Sequence, residues 1–222
     1  MNRDKRPWFR YDVCKSWLVA DAEFVGTFGF PKLQGSSAKP DKAIPFDRAL
    51  RTTIKSQWVH FYLDDHRFEC LWYNPNAYLK RLQAFEGVIS PDFSVYTTMP
   101  LAQQIWNTYR NRALGYWLQK NGVTVIPNVQ WGDERSYSFC FDGIPKQSAV
   151  AVSTYGCIRN RHDRFYFKKG LKKMVDTLKP SSIINHSNTP DDIFEPYQKE
   201  GIPIIHIPNW YETLRKRGTH HG

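Results

Sequence analysis

The chain has 222 residues, enough for one domain with a full hydrophobic core. Charged residues are 23% and hydrophobic ones 41%, the balance of a soluble globular protein, and no run approaches the roughly 18 apolar residues of a membrane span. Lys and Arg number 31 against 21 Asp and Glu, a formal +10 that favours polyanions such as nucleic acid.

The opening MNRDKRPWFR is charged and has no apolar run behind it, so no signal peptide is expected. Residues 1–57 read as an irregular segment packed on the core, with short strands between Trp17 and Phe30. A loop follows from Gln34 to Lys42, then a short helix within IPFDRALRTTIKS. An α/β domain is expected over 58–212, followed by a basic tail over 213–222.

Within that domain, apolar runs that end in polar residues alternate with helical patterns. The expected strands are Trp58–Asp65, Gly87–Tyr96, the run from Gly122, Ser148–Gly156, Ser181–Asn188 and Ile202–Trp210. A helical stretch interrupted at Pro75 follows the first. The longest expected helix is Met99–Gly122, with Leu101, Ile105, Tyr109, Ala113, Tyr116 and Trp117 on one face. Another runs from about Arg164 to Leu178, and a short one follows Thr189-Pro190. Strands apolar on both faces indicate a mainly parallel sheet of about six strands. The expected architecture is barrel-like, an incomplete TIM-like arrangement, with an open doubly wound sheet as the alternative. No GxGxxG or GxxxxGK[ST] follows a strand, so neither the dinucleotide nor the P-loop fingerprint is present.

The blocks LDDHRFE (Leu63–Glu69), SPDFS (Ser90–Ser94) and FCFDGIP (Phe139–Pro145) resemble, with the sequence around them from about residue 45 to 188, an uncharacterised family. That family is a domain of unknown function of bacterial, phage and mobile-element genomes. The resemblance implies a phage or mobile-element context and supplies no catalytic residue.

In parallel α/β proteins ligands gather beyond the carboxyl ends of the strands. Those ends carry Asp64 and Asp65, Asp92 and Ser94, then Asn128, Gln130, Trp131 and Glu134. Further along they carry Ser153 and Thr154, then Asn185 and His186. Asp64, Asp65, Asp92, Glu134 and His186 are the candidate catalytic groups, since carboxylates on neighbouring strands can separate in proton affinity. The same carboxylates could hold Mg²⁺, or Asp65 could cap the helix after it. Ser94, Asn128, Gln130, Trp131, Ser153, Thr154 and Asn185 are candidate substrate-binding groups. Ser153 lacks a GxSxG elbow, so a serine-hydrolase reading lacks its key turn. His60 and His206 fall inside strands and read as core or sheet-face residues. No HxH or HExxH spacing suggests zinc, and Cys14, Cys70, Cys140 and Cys157 form no CxxC pair, which fits reduced thiols in the cytoplasm.

The segment after the fourth strand is basic and aromatic. Arg159, Arg161, Arg164, Lys168, Lys169, Lys172 and Lys173 stand among Phe165, Tyr166 and Phe167, a pattern that suits a nucleic-acid backbone and stacked bases. Two classes of function are therefore expected. One is an enzyme acting on a nucleotide or nucleic acid by carboxylate-based hydrolysis or glycosidic-bond chemistry. The other is a non-catalytic nucleic-acid-binding or host-protein-interacting factor.

Overall fold

A computed structural model describes residue 12, residues 14–209 and residues 212–213. The expected tail over 213–222 lies outside the described residues after its first position, as do the charged opening residues.

A two-stranded antiparallel hairpin, β1 (Phe24–Val25) and β2 (Phe30–Pro31), precedes the main structure. A four-stranded parallel sheet follows, in the order β3 (Ala43–Pro45), β4 (Trp58–His60), β5 (Gly87–Ile89) and β6 (Val125–Ile126). A three-stranded parallel sheet then runs β7 (Ala149–Ser153), β8 (Ser182–His186) and β9 (Ile204–Ile207). Asn128 and Ala151 form an isolated parallel bridge between the sheets, with Val129 N–H to Ala151 O and Ala151 N–H to Pro127 O both at 2.8 Å. No ladder joins β9 back to β3 among the described residues, and no closed barrel is found.

Two differences from the sequence expectation concern this sheet. The first parallel strand is β3, inside the segment expected to be irregular; only three residues long and ending in Pro45, it gives almost no periodic signal. The expected strands also shorten, because the polar residues after each apolar run leave the ladder and become strand-end loops.

Helices alternate with these strands: α1 (Phe46–Ala49), α2 (Glu69–Tyr73) and α3 (Asn76–Gln83), parted at Pro75, then α4 (Leu101–Lys120), α5 (Arg161–Leu178) and α6 (Asp191–Lys199). Because side chains alternate along a strand, β7 sends Val150 and Val152 outwards and Ala149 and Ala151 inwards. The outward pair packs with Phe167, Leu171, Met174 and Val175 of α5. The inward pair joins one cluster with Trp58, Tyr62, Ile89, Ile126, Ile184 and Ile207, so both sheets share an inner core. Fully burying an aliphatic or aromatic side chain stabilises by about 1.5–3 kcal/mol, and this shared cluster is what fixes one sheet against the other.

Helix α4 departs most from its amphipathic reading. Leu101 is exposed, whereas Gln104, Asn107, Thr108, Arg110, Asn111 and Arg112 are buried. The cause is that α4 lies beneath the loops that leave β5 and β6, whose backbone groups need partners. Asn111 accepts from Phe93 N–H at 2.7 Å and donates to Phe93 O at 3.0 Å, while Asn107 donates to Ser94 O at 2.6 Å. Arg112 donates to the carbonyls of Asp142, Asn128 and Cys140 at 3.0, 3.3 and 2.6 Å. The polar side of α4 is a scaffold for the strand ends.

Candidate active site

The strand ends of both sheets meet in one network. β4 ends at His60 and its continuation brings Tyr62 to the same face; β5 leads through Ser90-Pro91 to Asp92, and β6 leads through Pro127 to Asn128. Tyr62 Oη donates to Asn128 Oδ1 at 3.0 Å. Asn128 Nδ2 and Gln130 Nε2 both donate to Asp92 Oδ1, at 2.5 and 2.6 Å. The Tyr62 ring also stacks on His186, with centroids 4.7 Å apart and planes 22° from parallel. His186 lies opposite Ser153 in the β7–β8 register, and Ser153 Oγ is 2.9 Å from His186 Nδ1. A continuous path thus runs from Asp92 through Asn128 and Tyr62 to His186 and Ser153.

Burial sets the electrostatics of this path. The half-buried Asp92 carboxyl is pushed from 3.8 up to about 8, first by loss of water, against the hydrogen bond from Asn128 and with the help of the Asp65 charge. Two amide donors on one oxygen favour the ionised form, so desolvation outweighs them. Asp65 is also raised by burial, although Ser94 Oγ at 2.8 Å and Ser94 N–H at 3.2 Å oppose the shift. Asp92 is thus held far above the ordinary carboxylate range, and Asp65 sits in a different environment.

The histidines move the other way. His60 is 2% exposed and burial lowers it to about 3; its Nδ1 accepts from Tyr62 N–H at 3.2 Å, which places the ring proton on Nε2. His186, also 2% exposed, is held well below 6.5 by burial, then by His60, whose ring centroid is 4.5 Å away, and by His206. His186 Nε2 is buried with no hydrogen-bond partner among the described residues. Ser187, next in the chain, has φ 73°, a left-handed conformation uncommon for serine and typical of strained functional loops.

Of the expected catalytic residues, Asp92 and His186 belong to this network and Asp65 lies at its edge. Asp64 is exposed and makes no side-chain cap. Glu134 is placed elsewhere: after Gly132 the chain enters a 3-10 turn, Glu134–Ser138, capped by Asp133, and this carries Glu134 outwards to pair with Lys169. Asp65 caps no helix and instead ties down Ser94.

Of the expected binding groups, Asn128 and Gln130 hold Asp92, and Ser153 meets His186. Trp131 does not face this network. Its indole N–H donates to Tyr166 O at 3.2 Å, and its ring packs on Phe167 and against Gly170 of α5. Thr154 and Asn185 brace the loop after β8, through Asn188 O at 2.6 and 2.9 Å. Much of the basic segment is already paired: Arg164 and Lys168 with Asp192, Lys169 with Glu134, Lys172 with Asp176. Arg159 sits over the exposed Tyr155 ring at 5.9 Å, and Arg161 and Lys173 make no ion pair among the described residues. His206 lies on the open side of β9, 3.4 Å from Glu212.

Among the described residues no three His, Cys, Asp or Glu side chains come together as a metal site, and no helix is long and apolar enough to cross a membrane. Sequence reasoning missed His60 and Tyr62 as site residues. The signal was their i, i+2 spacing, which puts both on one face at the end of β4.

A family model described as a domain of unknown function, DUF4417, matches residues 22–207. The Gene 1 protein of Mycobacterium phage L5 is 36% identical over 166 residues, which is 74% of this chain and 70% of that protein. The Gene 1 protein of Mycobacterium phage D29 is 35% identical over 161 residues, or 72% of this chain, and the match spans 57% of that relative. No solved structure matches the chain. The chain belongs to the DUF4417 family, and its relatives include Gene 1 proteins of two mycobacteriophages.

Proposed function

We propose that this chain serves a phage or mobile element as an enzyme that hydrolyses a bond in a nucleotide or nucleic acid, with Asp92 as its general acid. The observation that carries the reading is the state of Asp92. One carboxyl oxygen is fixed by Asn128 and Gln130, and the group keeps its proton to about pH 8. A held acid with that proton affinity protonates a leaving oxygen or nitrogen at neutral pH, and Asp65, less buried and hydrogen-bonded by Ser94, is the second carboxyl of the pair. The sequential strand order and the inner core shared by both sheets support an incomplete barrel with this network at its mouth. The formal charge of +10, with Arg159, Arg161 and Lys173 making no ion pair among the described residues, supports a phosphate-bearing substrate.

The test incubates the protein with nucleosides, nucleotides, single-stranded DNA and RNA, with and without Mg²⁺, and follows released base, phosphate or shortened strand. Turnover should fall at least about a hundredfold in Asp92→Asn. A second reading, a non-catalytic nucleic-acid-binding or host-interaction factor, draws on Ser94, Asn128 and Gln130 being engaged within the protein. Salt-dependent binding with no product, unchanged by Asp92→Asn, would select it.

A further inference from the structure

The Ser153–His186 pair is the part of the network that acid catalysis by Asp92 leaves unused. Ser153 is half-buried at the end of β7, and its Oγ accepts from Tyr155 N–H at 3.1 Å. That bond occupies an oxygen lone pair and leaves the hydroxyl hydrogen free to point at His186 Nδ1, 2.9 Å away. The imidazole cannot turn from this position. Tyr62 stacks on one side, His60 lies 4.5 Å off, and Tyr155 meets its edge at 6.0 Å. With the imidazole proton on Nε2, the hydroxyl donates to Nδ1 of a packed neutral ring, the arrangement of an activated serine, and it needs no GxSxG elbow because strand register supplies the alignment.

We infer that Ser153 is a nucleophile that forms a covalent seryl phosphoester from a phosphodiester substrate, with His186 Nδ1 receiving its proton. This rests on the hydrolytic reading above and deepens it. As Oγ bonds to phosphorus, its proton passes to His186 and the bond to the leaving oxygen breaks; that oxygen takes the Asp92 proton. Water then attacks the phosphoester and gives a proton to the Asp92 carboxylate, while Ser153 Oγ leaves and takes its proton back from His186. Both groups end as they began. The positive charge on His186 in the intermediate is set against the phosphate anion, the one favourable charge its buried surroundings lack. Because the imidazole stays neutral well below pH 6.5, nucleophile activation shows no histidine-type decline between pH 7 and pH 5.5.

An alkyl fluorophosphonate, which phosphonylates activated serines, tests this on the whole chain by intact mass and peptide mapping. The expected result is one adduct on Ser153, with a rate flat from pH 5.5 to 7. The adduct should disappear in Ser153→Ala, whose melting temperature stays near that of the parent, and labelling in His186→Gln should slow at least about a hundredfold. No adduct, or an adduct that survives Ser153→Ala, overturns the inference. Nucleic-acid hydrolysis that needs Asp92 but persists in Ser153→Ala would sink the inference and leave the hydrolytic reading standing. Ser153 labelling without turnover of any nucleotide or nucleic acid would leave Ser153 an activated serine but overturn the phosphodiester substrate together with the hydrolytic reading.

Discussion

Replacing Asp92 with asparagine should make the protein more stable, by an amount that depends on pH. The folded protein holds the Asp92 proton to about pH 8, whereas the unfolded chain releases it near 3.8. Stability linked to this group is therefore fully present below 3.8 and is lost as pH rises towards 8. Each tenfold difference in proton affinity is worth about 1.4 kcal/mol, so the ceiling is about 6 kcal/mol, and for a half-buried carboxyl about 2 kcal/mol is the realistic scale. Asparagine keeps an acceptor for Asn128 and Gln130 and cannot ionise. Urea denaturation of both proteins from pH 5 to pH 9 reads the difference. The gain in Asp92→Asn should grow from pH 5 to about pH 8 and then level off. A variant that is less stable than the parent at every pH, by a constant amount, would show that Asp92 is a structural acceptor rather than a strained acid.

Other substitutions test the supports of the site. Arg112→Met strands three carbonyls, two of them fully buried, and should cost about 3–5 kcal/mol in denaturant titration; Arg112→Lys should recover only part, because one ammonium cannot span them. A side chain at Gly170 would overlap the Trp131 indole, so Gly170→Ala should cost about 1–3 kcal/mol and change the near-ultraviolet circular dichroism without touching the Asp92 network. His60 and His186 stay neutral when folded and charge on unfolding, so their contribution is present above 6.5 and lost as pH falls. In the Asp92→Asn background, stability should drop below pH 6.5 by about 1.4 kcal/mol per pH unit for each histidine, and a flat acid limb would contradict their burial as neutral rings.

The strand ends were legible because an apolar run such as Val123–Ile126 stops abruptly at Pro127, Asn128 and Gln130, and a parallel sheet gathers such ends on one side. Asp92 and His186 were named as candidates for that reason, and they fall in one network. Glu134 and Trp131 were equally near a strand end in sequence, yet a capped 3-10 turn and the close approach of α5 at Gly170 direct them elsewhere. No local pattern announces either event. His60 and Tyr62 were passed over because buried strand residues look like core, and only the meeting of β4 with β8 across the two sheets makes them part of a site. The polar face of α4 was illegible for a related reason: Asn107, Asn111 and Arg112 answer to carbonyls and amides far away in the chain.

The central claim is that Asp92 stands protonated at neutral pH, ready to give its proton to a substrate. Carbon-13 NMR of the aspartate side-chain carboxyls, with the Asp92 signal assigned by its loss in Asp92→Asn, measures this without knowledge of the substrate. A titration midpoint near 8 is the predicted result. A midpoint close to the ordinary 3.8 would mean an ionised carboxylate throughout the physiological range, and the acid role assigned to Asp92 would be lost.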